Sequence, residues 1–171
     1  MRRLPAALAA LAALPLAACG AGEPPPTIRL ASPSFAYGAG LGATFTCDGD
    51  DIPPGISWDG IPAEAKSLVL ILEDRDAGGR THWIVYNIPP TTTGSPEGGS
   101  PEGGRPGTND HQKVGYSGPC PPEGARHRYV FRLLALDTTL ELPDGATRTQ
   151  VEQAMKGHIL ARGELLATYQ R

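Results

Sequence analysis

The chain predicts a mainly β (α+β) domain built from two packed sheets, with one or two peripheral helices. Three features lead there: apolar runs of strand length, connections heavy in Gly and Pro (22 and 18 residues), and a single segment carrying both start and stop signals for a helix. In chain order, residues 28–31, 44–46 and 56–58 are short strand candidates. Residues 67–73 (SLVLILE) form an unbroken apolar run bounded by polar turns, the pattern of a strand buried on both faces. Residues 82–88 (HWIVYNI) are rich in aromatic and β-branched side chains and stop at Pro89-Pro90. Residues 128–136 (RYVFRLLAL) make a third long strand, and 165–169 the last. The helix begins at Thr147, with Gln150 at capping-box spacing; Val151, Ala154 and Met155 continue the period until Gly157 ends it. Residues 95–104 are SPEGG written twice, read as a flexible acidic loop with no apolar content, which carries no information about the fold.

The first 26 residues belong to a different regime. Arg2 and Arg3 precede an Ala/Leu run, interrupted by Pro5 and Pro15, that is too short to span a membrane. Residues 1–18 therefore read as a signal peptide. The ending Leu16-Ala17-Ala18-Cys19 resembles the lipobox of bacterial lipoproteins, in which Cys19 would carry the lipid. Residues 19–26 then read as a lipidated, Pro-rich tether, and 27–171 as the domain. The expected location is the bacterial cell envelope, outer membrane or periplasm in a Gram-negative cell, with the membrane reached through the lipid anchor. About 150 residues remain after cleavage, enough for one domain with a proper core. The net charge of −3 becomes −5 once Arg2 and Arg3 are gone, and with no basic block the chain lacks the electrostatic footprint of a nucleic-acid binder.

Three cysteines are present. Giving Cys19 to the lipid leaves Cys47 and Cys120, which outside the cytoplasm are either bridged or two separately buried thiols. A bridge would close a loop of roughly 70 residues.

Chemistry-bearing residues gather at strand ends. Asp74 and Asp76 follow the first long strand, His82 opens the next, and His127 and Tyr129 sit two apart at the start of the third. The intervening stretch 115–122 (GYSGPCPP) is too rich in Gly and Pro for regular structure. If the three strands are neighbours, one hole is ringed by a carboxylate, imidazoles, a phenol and a stiff loop. Gly-rich backbone can form an anion nest, and an imidazole beside a carboxylate is biased towards its charged, doubly donating form. The same residues also have a plain structural reading, as strand-end histidines and turn-capping aspartates.

Two longer stretches resemble a known family. LILEDRDAGGRTHWIVYNIP is similar to the first conserved block of the phosphatidylethanolamine-binding proteins, and GYSGPCPPEGARHRYVFRLLALD to the second. ISWDGIPAEAKSLVLILED and HILARGELLATYQR extend the likeness from roughly Phe35 to the C-terminus, best with the bacterial Raf kinase inhibitor-like branch. The resemblance implies a two-sheet fold with a small pocket for phosphate, phosphorylated head groups and similar anions. Carried over position by position, its residues are Asp74, His82, Gly118, Pro119, His127 and Tyr129, with Asp76 holding the loop. Arg75 and Gly78 stand where the family has prolines, which should loosen the turn; Arg75 is expected to point into solvent.

The leading expectation is thus a non-catalytic, lipid-anchored binding module for a small phosphorylated or otherwise anionic ligand, with no cofactor, no metal and no assigned protein partner. Two alternatives compete. A metal-assisted hydrolase would use Asp74, His82 and His127. An envelope protease inhibitor would present the SPEGG loop. Cys120 as a nucleophile is disfavoured by its flanking prolines, and a bridge to Cys47 would remove its thiolate. His111 and His158 lie outside the matching blocks and are expected on the surface.

Overall fold

A computed structural model describes residues 27–171; the expected signal peptide, the expected lipidation at Cys19 and the expected tether fall outside the described residues. Five strands make an antiparallel sheet in the order β6-β4-β3-β7-β8, and three make a smaller antiparallel one, β1-β2-β5. The strands are β1 (Arg29–Ala31), β2 (Ile56–Asp59), β3 (Ser67–Asp74), β4 (Arg80–Ile88), β5 (Gly94–Ser95), β6 (Arg105–Pro106), β7 (Arg126–Leu136) and β8 (Ile159–Gln170). β1 corresponds to the expected strand at 28–31, β2 to 56–58 and β8 to 165–169, the last extended by six residues at its start. The two-residue strands β5 and β6 were not foreseen, since a pair of residues carries no periodicity.

The unbroken apolar run of β3 is explained by its position. Leu68, Leu70 and Leu72 face the core between the sheets, with Trp83, Phe131 and Trp58. Val69 and Ile71 face the other side, beneath helix α1 (Arg148–Ala154) and Val151. Both faces are therefore covered, and β3 is buried along its whole length. Thr147 caps α1 as its sequence predicts: its hydroxyl accepts from the Gln150 N–H, while the Gln150 side chain accepts from the Thr147 N–H.

One expectation is corrected. Residues 44–46 are not a strand: Ala43–Phe45 form a short 3-10 helix between Gly42 and Thr46, with the Phe45 and Thr46 N–H groups bonded three residues back. The SPEGG repeat, on which the sequence is silent, forms two turns and one strand pairing. Each copy closes one turn, Gly99 N–H to Pro96 O and Gly104 N–H to Pro101 O, with Gly98 and Gly103 at φ +70° and +72°. Ser95 pairs with Ile56 in the smaller sheet, and the Gly98 N–H bonds Pro53 O. Glycine at the third position lets both turns form despite the polar sequence.

Candidate functional site

Register brings the strand-end residues together. Asp74, the last residue of β3, is opposite Tyr129 on β7 and Arg80 on β4. The tight turn between β3 and β4 is closed by the Gly79 N–H to Asp74 O, and Gly78 and Gly79 adopt φ +66° and +76°. A proline at position 78 has no access to that conformation.

Asp74 is 3% exposed, and its acceptor capacity is committed to the protein. Oδ1 accepts the N–H groups of Asp76 (2.9 Å) and Ala77 (3.1 Å), and Oδ2 lies 2.7 Å from His127 Nδ1. The carboxylate thus shapes the turn and orients an imidazole, a positioning role. Asp76 turns to Arg128, meeting its N–H at 2.7 Å and its guanidinium at 2.6 and 3.0 Å. Those hydrogen bonds hold the Asp76 carboxyl down at about 2. Arg75 points away and pairs with Glu164 at 2.6 Å.

His82 is 2% exposed. Its Nδ1 faces two carbonyls, Ser117 O at 2.9 Å and Gly118 O at 3.2 Å, so Nδ1 carries a proton and Nε2 is the nitrogen left for a ligand. Burial pushes the His82 pKa below its ordinary 6.5, against the raising effect of the carbonyls; His111 pushes the same way as burial. The expected bias of an imidazole towards its charged form does not hold for His82, because desolvation outweighs the Asp74 charge.

Asp74, His82 and His127 line one cavity of about 170 Å³, together with Ala77, Arg80, His111, Cys120, Pro121 and Pro122. His111 is exposed but belongs to this wall, its ring centroid 4.9 Å from that of His82. Its exposure is as expected, and its place on the cavity wall is what the sequence did not indicate. Asn109 puts it there: the Asn109 amide donates to His82 O, Gly115 O and Ser117 Oγ, while its carbonyl accepts the N–H groups of His111 and Lys113. No local pattern in the sequence marks Asn109 or Arg80 as site residues. His158 is indeed at the surface, 2.7 Å from Asp137.

Gly118, Pro119 and Tyr129 are not on the cavity wall. Gly118 donates its N–H to Asp51 Oδ1 at 2.5 Å, and Pro119 O accepts the Cys47 N–H at 3.2 Å. Both hold the loop that presents Cys120, Pro121 and Pro122. Tyr129 lies behind, edge-on to His82 (5.4 Å) and stacked at 6.4 Å on His127. Its fully buried hydroxyl is near enough to Asp74 and the Cys120 backbone to feel them, yet neither meets it in hydrogen-bonding geometry. Burial and then the Asp74 charge push the phenol pKa up, so the hydroxyl stays a donor. Cys47 and Cys120 are disulfide-bonded, and Cys120 therefore has no thiolate to offer as a nucleophile.

Among the described residues no three His, Cys, Asp or Glu side chains form a cluster able to hold a metal ion. The Asp74 carboxylate is spent on the Asp76 and Ala77 N–H groups and on His127, which gives the Asp/His/His hydrolase no support. A larger concavity lies elsewhere, about 1030 Å³ beside β5 and the SPEGG turns. It is lined by threonines, serines and Glu102, with no imidazole or arginine, so the smaller cavity is the candidate site. No helix of the described residues is long and apolar enough to cross a membrane.

The family model for phosphatidylethanolamine-binding protein matches residues 31–170. A UPF0098 protein of Methanothermobacter thermautotrophicus is 49% identical over 134 residues, 74% of this chain and 88% of that protein. A UPF0098 protein of Chlamydia trachomatis is 41% identical over 151 residues, 84% of this chain and 99% of that one. Among solved structures, a phosphatidylethanolamine-binding protein homologue of Chlamydia trachomatis matches with TM-score 0.79 and 41% identity, covering 85% of this chain and 98% of that one. YbcL of E. coli, described as a member of the mammalian PEBP family, matches with TM-score 0.78 and 27% identity over 84% and 98% of the two chains. The chain belongs to the phosphatidylethanolamine-binding protein family.

Proposed function

We propose that the protein is a lipid-anchored, non-catalytic binding protein of the bacterial envelope whose cavity between Asp74, His82 and His127 takes a small anion, such as phosphate or a phosphorylated head group. The observation that carries this reading is the way both imidazoles are held. Each has Nδ1 tied to a protein acceptor, leaving Nε2 of His82 and of His127 as the free ring nitrogens, with the Arg80 side chain on the same wall. A ring that acquires a second proton on meeting an anion becomes a charge-assisted donor, and such bonds are the stronger kind. Preorientation by Asp74 and by the Ser117 and Gly118 carbonyls lowers the ordering cost of binding. Membrane attachment rests on the sequence around Cys19, which resembles a lipobox.

Calorimetric titration of the purified protein with inorganic phosphate and phosphoethanolamine tests the pocket. Binding is expected for both, and His127→Ala and Asp74→Ala should each weaken it at least tenfold, the loss of about 1.4 kcal/mol or more. Unchanged affinity in both variants would refute the assignment. Cys19→Ser is expected to move the protein from the membrane to the soluble fraction; a variant still found in membranes would refute the anchor.

A further inference from the structure

Ligand pockets usually enclose about 300–1,000 Å³. The cavity at His82 offers about 170 Å³, room for an anionic group and little of the molecule attached to it. The remainder must lie outside, and one neighbouring surface is built to receive it. A shelf of about 510 Å³ adjoins the cavity and shares Ala77 and Arg80 with it. Beyond those two, its side chains are Asp110, Arg148, Thr149 and Glu152, every one charged or hydroxylated.

Two of these side chains are already fixed. Arg148 bonds Glu152 (2.8 Å), Glu73 (3.1 Å), Thr81 Oγ1 (3.1 Å) and Gly79 O, and the Asp110 carboxylate accepts the Thr81 N–H at 2.7 Å. Arg80 is different: it has no ion-pair partner among the described residues. An unpaired cation therefore stands where the cavity meets the shelf. An alkyl chain laid along that shelf would strip water from charged groups and return no hydrogen bonds. A hydroxylated body would replace or share those waters.

We propose that this shelf is a second subsite, and that the ligand is a water-soluble phosphomonoester with a polyhydroxylated body. The phosphate lies in the small cavity, the ester passes Arg80, and the body rests against Arg148, Thr149 and Glu152. This rests on the anion reading of the cavity and adds the class of molecule that carries the anion.

The test compares inorganic phosphate, glucose 6-phosphate and hexyl phosphate by calorimetry on the purified protein. The sugar phosphate should bind on the order of tenfold tighter than inorganic phosphate, the yield of one or two net hydrogen bonds, and hexyl phosphate no tighter than inorganic phosphate. Thr149→Phe, at an exposed helix position, should block the shelf and remove the sugar's advantage while inorganic phosphate binds as before. Thr149→Leu, a smaller obstruction, should remove part of it. Equal or greater gain from the hexyl group, or a sugar advantage that survives Thr149→Phe in a folded variant, overturns the proposal. Failure of all three probes to bind refutes the anion cavity and the shelf with it, whereas phosphate binding without any ester gain refutes the shelf alone.

Discussion

Replacing both Cys47 and Cys120 with serine should cost about 4 kcal/mol of stability and leave the binding cavity in place. The bridge joins residues 73 apart. Closing a loop of that length in the unfolded chain removes about 15 cal/mol/K of entropy, or about 4 kcal/mol at 25 °C. Domains of this kind have about 5–15 kcal/mol in total, so a quarter or more of the stability is at stake. The folded geometry should change little, because the same two segments are joined three further times. Cys47 N–H bonds Pro119 O (3.2 Å), Gly118 N–H bonds Asp51 Oδ1 (2.5 Å), and Tyr116 Oη bonds Phe45 O (2.6 Å). Urea unfolding followed by circular dichroism reads the loss directly. With a slope of about 2 kcal/mol/M, the midpoint should fall by about 2 M, and the slope should rise as the unfolded chain expands. Phosphate affinity of the folded variant should stay within about threefold, less than 1 kcal/mol. A loss below about 1 kcal/mol would show that residual structure already closes the loop in the unfolded chain. Loss of phosphate binding in a variant that still folds would show that the three hydrogen bonds do not hold the wall.

Two other perturbations reach the site from different sides. Burial keeps the folded pKa of His82 below 6.5, so as pH falls the unfolded chain takes up that proton first; stability is full above about 6.5 and declines below it towards the folded pKa. Urea midpoints at pH 7.5 and 5.5 should therefore differ less in His82→Gln than in the wild type, and equal differences in the two proteins would refute the desolvation argument. Gly118→Ala places a Cβ 2.7 Å from Asp51 Oδ1, Phe45 O and Thr46 Cα. Two of those atoms are backbone, so the loop must shift, at a cost of about 1–3 kcal/mol; an unchanged melting temperature together with unchanged phosphate affinity would show that the loop gives way freely.

The polar site and the polar repeat show the same division between local and distant causes. His82 and Asp74 lie within the strand pattern and are visible as residues. Their protonation and roles depend on what faces them across the sheet. Desolvation of His82 arises from the packing of β3, β4 and β7 around it, and Asp74 is spent on His127 and two turn amides. His111 stands in a loop and Arg80 at the first position of β4, where no periodicity marks them, and they reach the cavity only because Asn109 stitches one loop to β4 and register sets Arg80 opposite Asp74. The SPEGG repeat reads as an unstructured insertion because it has no apolar residue to bury. Its glycines nevertheless permit two turns, whose amides find acceptors within the repeat and at Pro53.

By itself the sequence determined the long strands, the helix and its cap, the two-sheet class and the family, because these depend on local periodicity, on side chains within three or four residues and on two extended motifs. It also named three of the residues that line the cavity, Asp74, His82 and His127. Only the tertiary structure decided that 44–46 turn into a 3-10 helix, that Cys47 and Cys120 are bonded, and that Gly118 and Pro119 brace the cavity without lining it. It alone brought Arg80 and His111 to the cavity wall. Each of those outcomes depends on atoms dozens of residues away, whose distance is set by sheet register and loop packing and leaves no trace in the local pattern.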